Sequence, residues 1–313
     1  MNLYKRRFAI IVFIGISLLL QVKTHAQTEP MYSQYMFNML NVNPAYAGSR
    51  GTTTASALFR KQWLEMPGSP QTTVISIDQA SREGRIGLGL QLLDDKLGIE
   101  RTTGVMASYA FRIPVSDQGV LSLGLRGGIL NYRANFTEVN TFAPNDPTFN
   151  QNVNGILPAA GAGVYYTTDK FYVGLSIPSL LETKLNAREQ ADVKSGTLKN
   201  MHLFYTMGMV MDLSDQVKLK PSMLIKRVNG APVQFDFNTN VWLMDKIAFG
   251  ASYRTKDAIV GLVEWQINDQ LRFGYSYDHT ISNLRPFSQA THELMLRFEI
   301  GSSRSSFVSP RYF

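Results

Sequence analysis

Polar and apolar residues alternate along most of the chain with a period of two. In "LRFGYSYDHT", Leu271, Phe273, Tyr275 and Tyr277 fall on one face, and polar or small residues occupy the positions between them. The same alternation recurs in "RIGLGLQLL", "VKLKPSMLIK" and "HELMLRFEI". Successive side chains of a β-strand point to opposite faces, so this period predicts strands with two chemically different faces.

About fourteen segments follow this pattern, each roughly 9–12 residues long, which is the length that a tilted strand needs to cross a bilayer. Antiparallel strands of this kind must close into a barrel, because unpaired backbone groups cannot face hydrocarbon. The predicted strands begin near Thr52, Thr72, Arg85, Thr103, Val120, Ala159, Phe171, His202, Val217, Gln234, Ile247, Ala258, Leu271 and His292. The fold class predicted is therefore all-β, an antiparallel transmembrane β-barrel.

The connections between these strands alternate in length. One set is short and built from turn residues, at 81–84, 114–119, 167–170, 214–216, 244–246 and 268–270. The other set is mostly longer and includes 134–158, 180–201 and 281–291. Outer-membrane barrels have short periplasmic turns and longer outer loops, whereas a soluble sandwich has no reason to sort its loops in this way.

The first 26 residues have the layout of a secretory signal peptide. Lys5, Arg6 and Arg7 precede an apolar run from Phe8 to Leu20, and Ala26 is the expected last residue before cleavage. An uncleaved anchor helix is the alternative, although the run is short for a spanning helix. The chain has no cysteine, so neither a lipidated cysteine nor a disulfide framework is expected. We expect an integral protein of the cell outer membrane.

Charge does not indicate a nucleic-acid partner. The chain has 31 Lys and Arg against 24 Asp and Glu, but part of the excess lies in the leader, and no basic tract follows it. Charged residues on the inward faces have mixed signs, which suits pairing across the lumen or a surface that grips a plug or a passing peptide. The outward faces carry aromatic residues expected to form interfacial girdles: Trp63, Tyr109, Tyr132, Tyr165, Phe171, Tyr253, Trp265 and Phe298.

One apolar stretch, "MYSQYMFNMLNVNPAYAGSRG" at 31–51, lies outside the alternating pattern. Its residues Tyr32, Tyr35, Met36, Met39 and Leu40 have the spacing of one face of a short helix. The following "NPAYAG" ends that helix, because proline disfavours a helical conformation in the residue before it.

A barrel of this size has a lumen too wide for its wall side chains to fill, so something plugs it or it conducts. We expect residues 27–51 to fold into or across the periplasmic mouth, with Tyr32, Tyr35 and Phe37 packed on the inner wall. Asn43, Pro44 and Tyr46 complete the candidate contact residues of this segment. The alternative is that this stretch is an unstructured remnant of the leader.

Signatures of catalysis or metal binding are scarce. Outside the leader, His202, His279 and His292 have no metal-ligand spacing, so we expect no metal site, no cofactor and no catalytic site. The best hydrolase alternative is "DHTISN", in which His279, Ser282 and Asn283 would act as base, nucleophile and orienting residue. The Gly-rich stretches "GLGLQL" and "GAGVYY" lack phosphate-loop spacing, and their alternate glycines relieve crowding or bend the wall.

Several blocks of the sequence resemble the PorP/SprF family, membrane proteins of type IX secretion and gliding motility in Bacteroidetes. The first block is "YSQYMFNMLNVNPAYAG", and the second is "RKQWLEMPGSPQTTVISID". The third is "IGLGLQLLDDKLGIERTTGVMASYAFRI", and the fourth is "LRFGYSYDHTISNL", followed by "THELMLRFEI". The blocks span nearly the whole chain after the leader and stand in the family's order.

The resemblance implies a binding and anchoring component and not an enzyme. Expected partners are the periplasmic ring of the secretion machinery, a peptidoglycan-linked protein, exported proteins with C-terminal sorting domains, and outer-membrane lipid. The resulting division is a signal peptide at 1–26, a periplasmic or plug segment at 27–51, a barrel at 52–300 and a periplasmic tail at 301–313. In the tail, Arg311, Tyr312 and Phe313 are candidate partner contacts. An outer-membrane porin or solute transporter is the alternative function.

Overall fold

The computed structural model describes residues 31–138, 151–186, 189–195, 201–228, 231–288 and 290–300. The backbone is dominated by antiparallel strands, and three short turns precede the first strand. Within the described residues, no helix is long and apolar enough to cross a membrane.

The strands form one closed antiparallel sheet and a separate hairpin. The strand bounds are β1 Thr53–Lys61, β2 Gln71–Ala80, β3 Ile86–Leu97, β4 Glu100–Pro114, β5 Val120–Ala134, β6 Val153–Thr167, β7 Phe171–Ile177, β8 Leu181–Asn186, β9 Glu189–Ser195, β10 Leu203–Met209, β11 Met211–Ser214, β12 Val217–Arg227, β13 Gln234–Leu243, β14 Ile247–Arg254, β15 Ala258–Gln266, β16 Leu271–Thr280 and β17 Ala290–Ile300. The large sheet contains 15 of these segments, and β10 and β11 are two halves of one strand interrupted at Val210. The barrel therefore has fourteen strands, which confirms the predicted fold class.

The barrel closes between its first and last strands. Strand β1 pairs with β17 from Thr53↔Ile300 to Lys61↔His292, so neither strand is left as an open edge at this seam. The start of β1 at Thr53 and the end of β17 at Ile300 lie at the same end of the barrel, together with the short turns. We call this the turn end, and we call the opposite end, which carries the longer connections, the loop end.

Exposure alternates along the strands as the sequence pattern predicts. In β15 the buried residues Val260, Leu262 and Glu264 alternate with exposed Ile259 and Val263. Apolar side chains such as Leu125 and Phe249 point outward, and most inward positions are small or polar. This inversion of a soluble core is typical of a barrel that faces lipid.

Two predicted loops are partly strand. The connection expected at 134–158 is shorter, because β6 already begins at Val153 and pairs with β5 along its whole length. The connection expected at 180–201 contains the hairpin β8–β9, a separate two-stranded sheet at the loop end. Neither segment has the strict alternation of a spanning strand, which is why the sequence pattern did not show them.

Candidate functional site: a segment that fills the lumen

The segment Met31–Gly51, which we call the lumen segment, lies inside the barrel. It consists of a 3-10 turn at Tyr35–Phe37, a single helical turn α1 at Met39–Val42 and a second 3-10 turn at Pro44–Tyr46. All residues from Ser33 to Arg50 are buried. The prediction of one short helix with a single apolar face is therefore wrong. The segment forms separate short turns, and it is buried on every side because the wall surrounds it.

The apolar side chains of the lumen segment form the main hydrophobic core of the protein. Tyr35, Met39 and Leu40 are each 1% exposed and pack with wall residues that include Tyr165 and Met295. Phe37 belongs to the same cluster, and partly buried Tyr32 packs against it. Tyr32, Tyr35 and Phe37, the residues expected to pack on the inner wall, thus lie in or against this cluster.

Asn43, Pro44 and Tyr46 are all buried within this packing. Asn43 Oδ1 accepts a hydrogen bond from Ala45 N–H at 2.9 Å, while its Nδ2 donates to the Val164 carbonyl at 3.0 Å. The Tyr46 ring meets Tyr165 edge-on, with ring centroids 5.6 Å apart.

Tyr165 was expected among the outward girdle residues, and that expectation is wrong. Its side chain is fully buried and stacks on Tyr172 inside the lumen, with ring centroids 5.7 Å apart. The adjacent Tyr166 takes the opposite face of β6, because neighbouring residues of a strand alternate. Tyr109, Phe171, Tyr253 and Trp265 are exposed on the outer face, as expected.

Wall side chains hydrogen-bond to the backbone carbonyls of the lumen segment. Ser176 Oγ donates to the Val42 carbonyl at 2.8 Å, and Arg297 Nη1 donates to the Phe37 carbonyl at 3.2 Å. The Arg126 guanidinium donates to the Leu40 carbonyl and, at 3.3 Å, to the Asn41 carbonyl. These bonds satisfy buried carbonyls that a helix would otherwise pair internally.

Inward glycines of the wall provide the space for the lumen segment. A Cβ at Gly124 would lie 2.1 Å from Ala45 N, and one at Gly87 would lie 1.9 Å from the Ala47 carbonyl oxygen. A Cβ at Gly163 would collide with the Asn43 side chain. Gly87 and Gly89 in "GLGLQL" and Gly163 in "GAGVYY" thus make room for this segment, whereas a Cβ at Gly161 would meet the backbone of Pro178.

The lumen segment runs the length of the barrel. Near its beginning, Ser33 contacts four charged wall residues that all lie within three residues of the loop end of their strands: Arg60, Arg254, Asp278 and Glu293. Near its end, Gly48 N–H donates to Asp78 at 2.9 Å and Arg50 forms an ion pair with Glu299 at 2.7 Å, both near the turn end. The first described residues are thus toward the loop end, deeper than the expected position at the periplasmic mouth.

The charged cluster around Ser33 is dense and almost fully buried. Arg60 lies 2.8 Å from Asp278 and 3.0 Å from Glu293, and Arg254 lies 3.0 Å from Asp236 and 3.2 Å from Asp278. The alternating pattern indicates the inward charges, but it does not indicate that they meet at Ser33 and Arg60. Arg60 occupies an inward position of β1, and the alternation along this strand is the sequence signal from which its position in the lumen follows.

The other sequence candidates lie elsewhere. His279 is at the loop end of β16, and Ser282 Oγ accepts from Leu284 N–H at 3.4 Å; among the described residues no hydrogen bond joins these two side chains. No group of His, Asp or Glu within the described part of the chain could hold a metal ion. Arg311, Tyr312 and Phe313 lie outside the described residues.

Solved structures with a similar fold share little sequence identity with this chain. The Acinetobacter baumannii outer membrane protein Omp33 is 9% identical, with a TM-score of 0.43, and the match covers 80% of this chain and 98% of that one. The Ralstonia pickettii toluene transporter TbuX is 12% identical, with a TM-score of 0.46, covering 84% and 93%. The CymD monoaromatic hydrocarbon channel is 10% identical, with a TM-score of 0.47, covering 87% and 94%. These likenesses concern the fold alone.

Comparison with curated protein sequences gives no match. The family profile described as "Type IX secretion system membrane protein PorP/SprF" matches residues 24–298. That range contains the lumen segment and nearly the whole barrel, and it includes the blocks that carried the resemblance except for the last two residues of "THELMLRFEI". The family places the chain in the outer membrane and suggests a role other than catalysis. The chain therefore belongs to the PorP/SprF family of type IX secretion system membrane proteins.

Proposed function

We propose that this barrel acts in type IX secretion as a plugged binding and anchoring component, and not as an open pore. The observation that carries the proposal is the lumen segment, which is buried from Ser33 to Arg50 and fastened to the wall near both ends of the lumen. A porin or solute transporter needs a water-filled path, and this segment occupies the place where such a path would run.

In this proposal the loop end faces outward and holds exported proteins with C-terminal sorting domains. The turn end faces the periplasm, where the short turns and the tail at 301–313, with Arg311, Tyr312 and Phe313, contact the periplasmic ring and a peptidoglycan-linked protein. Lipid surrounds the wall, and the signal peptide is removed after Ala26. Support for this orientation comes from the sorting of short and long connections by end.

Site-specific photocrosslinking in native outer membranes tests the proposal. The crosslinker replaces Phe287 at the loop end, Met244 in a turn or Ile129 on the lipid-facing wall, which are all well exposed, at 67%, 65% and 58%. We expect exported proteins to crosslink from position 287, machinery proteins from 244 and neither from 129. Labelling at 129 by the same proteins, or normal export and surface display after deletion of the gene, contradicts the proposal.

A further inference from the structure

A cationic cluster lies in the lumen near the turn end, apart from the charged cluster around Ser33. Its side chains come from the wall on the β12–β17 side and from the end of the lumen segment. Each wall member lies within three residues of the turn end of its strand. The members are Arg50, Lys220, Trp242, Glu264, Arg272 and Arg297.

The indole of Trp242 is the centre of this cluster. The Lys220 ammonium lies 4.4 Å from the ring centroid, and the Arg272 guanidinium lies 4.5 Å from it. Trp242 is 1% exposed, and its Nε1–H has no hydrogen-bond acceptor among the described protein atoms. Arg297 Nη2 is another buried donor without a protein acceptor. Both of these buried donors belong to the cluster.

Positive charge exceeds negative charge in this region. Glu299 is already held by Arg50 at 2.7 Å and by Arg297 at 3.3 Å, and Glu264 lies 3.8 Å from Arg272. Among the residues that the structure describes, four cations thus lie in this region with two carboxylates. Buried cations in excess of their counter-ions favour an anionic ligand, and indole N–H, ammonium and guanidinium groups are all donors that an oxyanion accepts from.

The region is reachable from the turn end. The Arg272 side chain is 12% exposed. Lys218 lies two residues nearer the turn end than Lys220 on the same strand; its side chain is 11% exposed and pairs with Asp245 at 2.6 Å. The 3-10 turn Pro44–Tyr46 packs on the opposite side of the lumen, against β3 to β6. A short extended chain that enters at the turn end on the β12–β17 side therefore meets this cluster, which includes Arg50, before it reaches the 3-10 turn Pro44–Tyr46.

We propose that the Lys220–Trp242–Arg272 cluster is a binding site for a carboxylate-bearing peptide segment, such as an acidic stretch of a protein partner that approaches the turn end. A carboxylate would accept a hydrogen bond from Trp242 Nε1 at the edge of the ring, and the positive charges of Lys220 and Arg272 over the ring would attract it. The inference deepens the proposed function because it gives the chemistry of one partner at this end.

Tryptophan fluorescence tests the site directly, because the chain has 3 Trp residues and one of them is in the cluster. The reporter is the full chain in detergent micelles with Trp63→Phe and Trp265→Phe, titrated with a tetraglutamate peptide or with inorganic phosphate. We expect a saturable change in Trp242 emission with the peptide, binding weakened by about tenfold or more in Lys220→Met, and recovery in Lys220→Arg. Lys170→Met, which removes an exposed cation of the turn end, is the matched control.

Absence of a saturable change, or equal binding by Lys220→Met and Lys170→Met, overturns the site. Equal or tighter binding of inorganic phosphate overturns the peptide as its ligand. Circular dichroism of each variant shows whether the barrel is intact, and Lys220→Arg retains the charge if Lys220→Met does not fold. Failure of this titration leaves the photocrosslinking result unaffected, so the two proposals fail separately.

Discussion

The backbone of Ser33 is bound to the carboxylate of Glu293, 260 residues later in the chain. Ser33 N–H donates to Glu293 Oε2 at 2.9 Å, and the next amide, Gln34 N–H, donates to Oε1 at 2.8 Å. Arg60 on the first strand donates to the same carboxylate at 3.0 Å. The lumen segment is thereby attached to both strands of the seam at which the barrel closes.

Neutralising Glu293 should detach this end of the lumen segment. In Glu293→Gln the buried Arg60 loses one of its two carboxylates and one backbone amide loses its acceptor, so we expect a loss of about 3–5 kcal/mol of unfolding free energy. Urea unfolding in lipid vesicles measures it. The control is Asp94→Asn, whose pair with Arg101 is well exposed, at 38% and 56%, and contributes about 0–1 kcal/mol. Equal losses in the two variants would show that the buried contact does not fasten the segment.

The inward glycines should tolerate no side chain where the lumen segment passes. Gly124→Val places atoms against the Ala45 and Pro44 backbone, so we expect about 1–3 kcal/mol of destabilisation or displacement of the segment. Gly127→Val is the control on the same strand, because a Cβ there meets nothing within 4 Å. The measurement is the temperature at which the barrel unfolds in heat-modifiability gels. If the two variants unfold at the same temperature, the segment does not occupy the groove.

Asn43 should contribute more than an equivalent exposed asparagine. Asn43→Ala leaves the Ala45 amide without its acceptor and the Val164 carbonyl without this donor, inside the barrel, which costs about 1–3 kcal/mol. Asn268 makes a similar turn at the surface, where its Oδ1 accepts from Leu271 N–H at 2.9 Å and water can replace it. If Asn268→Ala lowers the free energy of unfolding more than Asn43→Ala does, the buried contacts of Asn43 do not have the stabilising role given to them here.

The strands were predictable from sequence, because the period of two and the lengths of the connections are local properties. The presence of the lumen segment also followed from an apolar stretch and a lumen that its wall cannot fill. Its form did not follow. Met36, Met39 and Leu40 have helical spacing, yet wall donors such as Arg126 and Ser176 satisfy the carbonyls that would complete a helix.

Two other features depend on partners that are distant in sequence. The inward orientation of Tyr165 is set by the strand register, and a shift of one residue would exchange it with Tyr166. The meeting of Ser33 with Arg60 and Asp278 requires the closed barrel, since Ser33 and Asp278 are 245 residues apart. Local patterns contain no information about such contacts.

The central claim is that the lumen segment closes the barrel, and single-channel conductance in planar bilayers tests it most directly. The comparison is between the intact protein and a variant that lacks residues 31–46, with circular dichroism to establish that both barrels are folded. We predict little or no conductance for the intact protein and stable ohmic steps for the variant, because a lumen of this width is otherwise open. Large steady conductance of the intact protein, or folded barrels with equal conductance, would contradict the account.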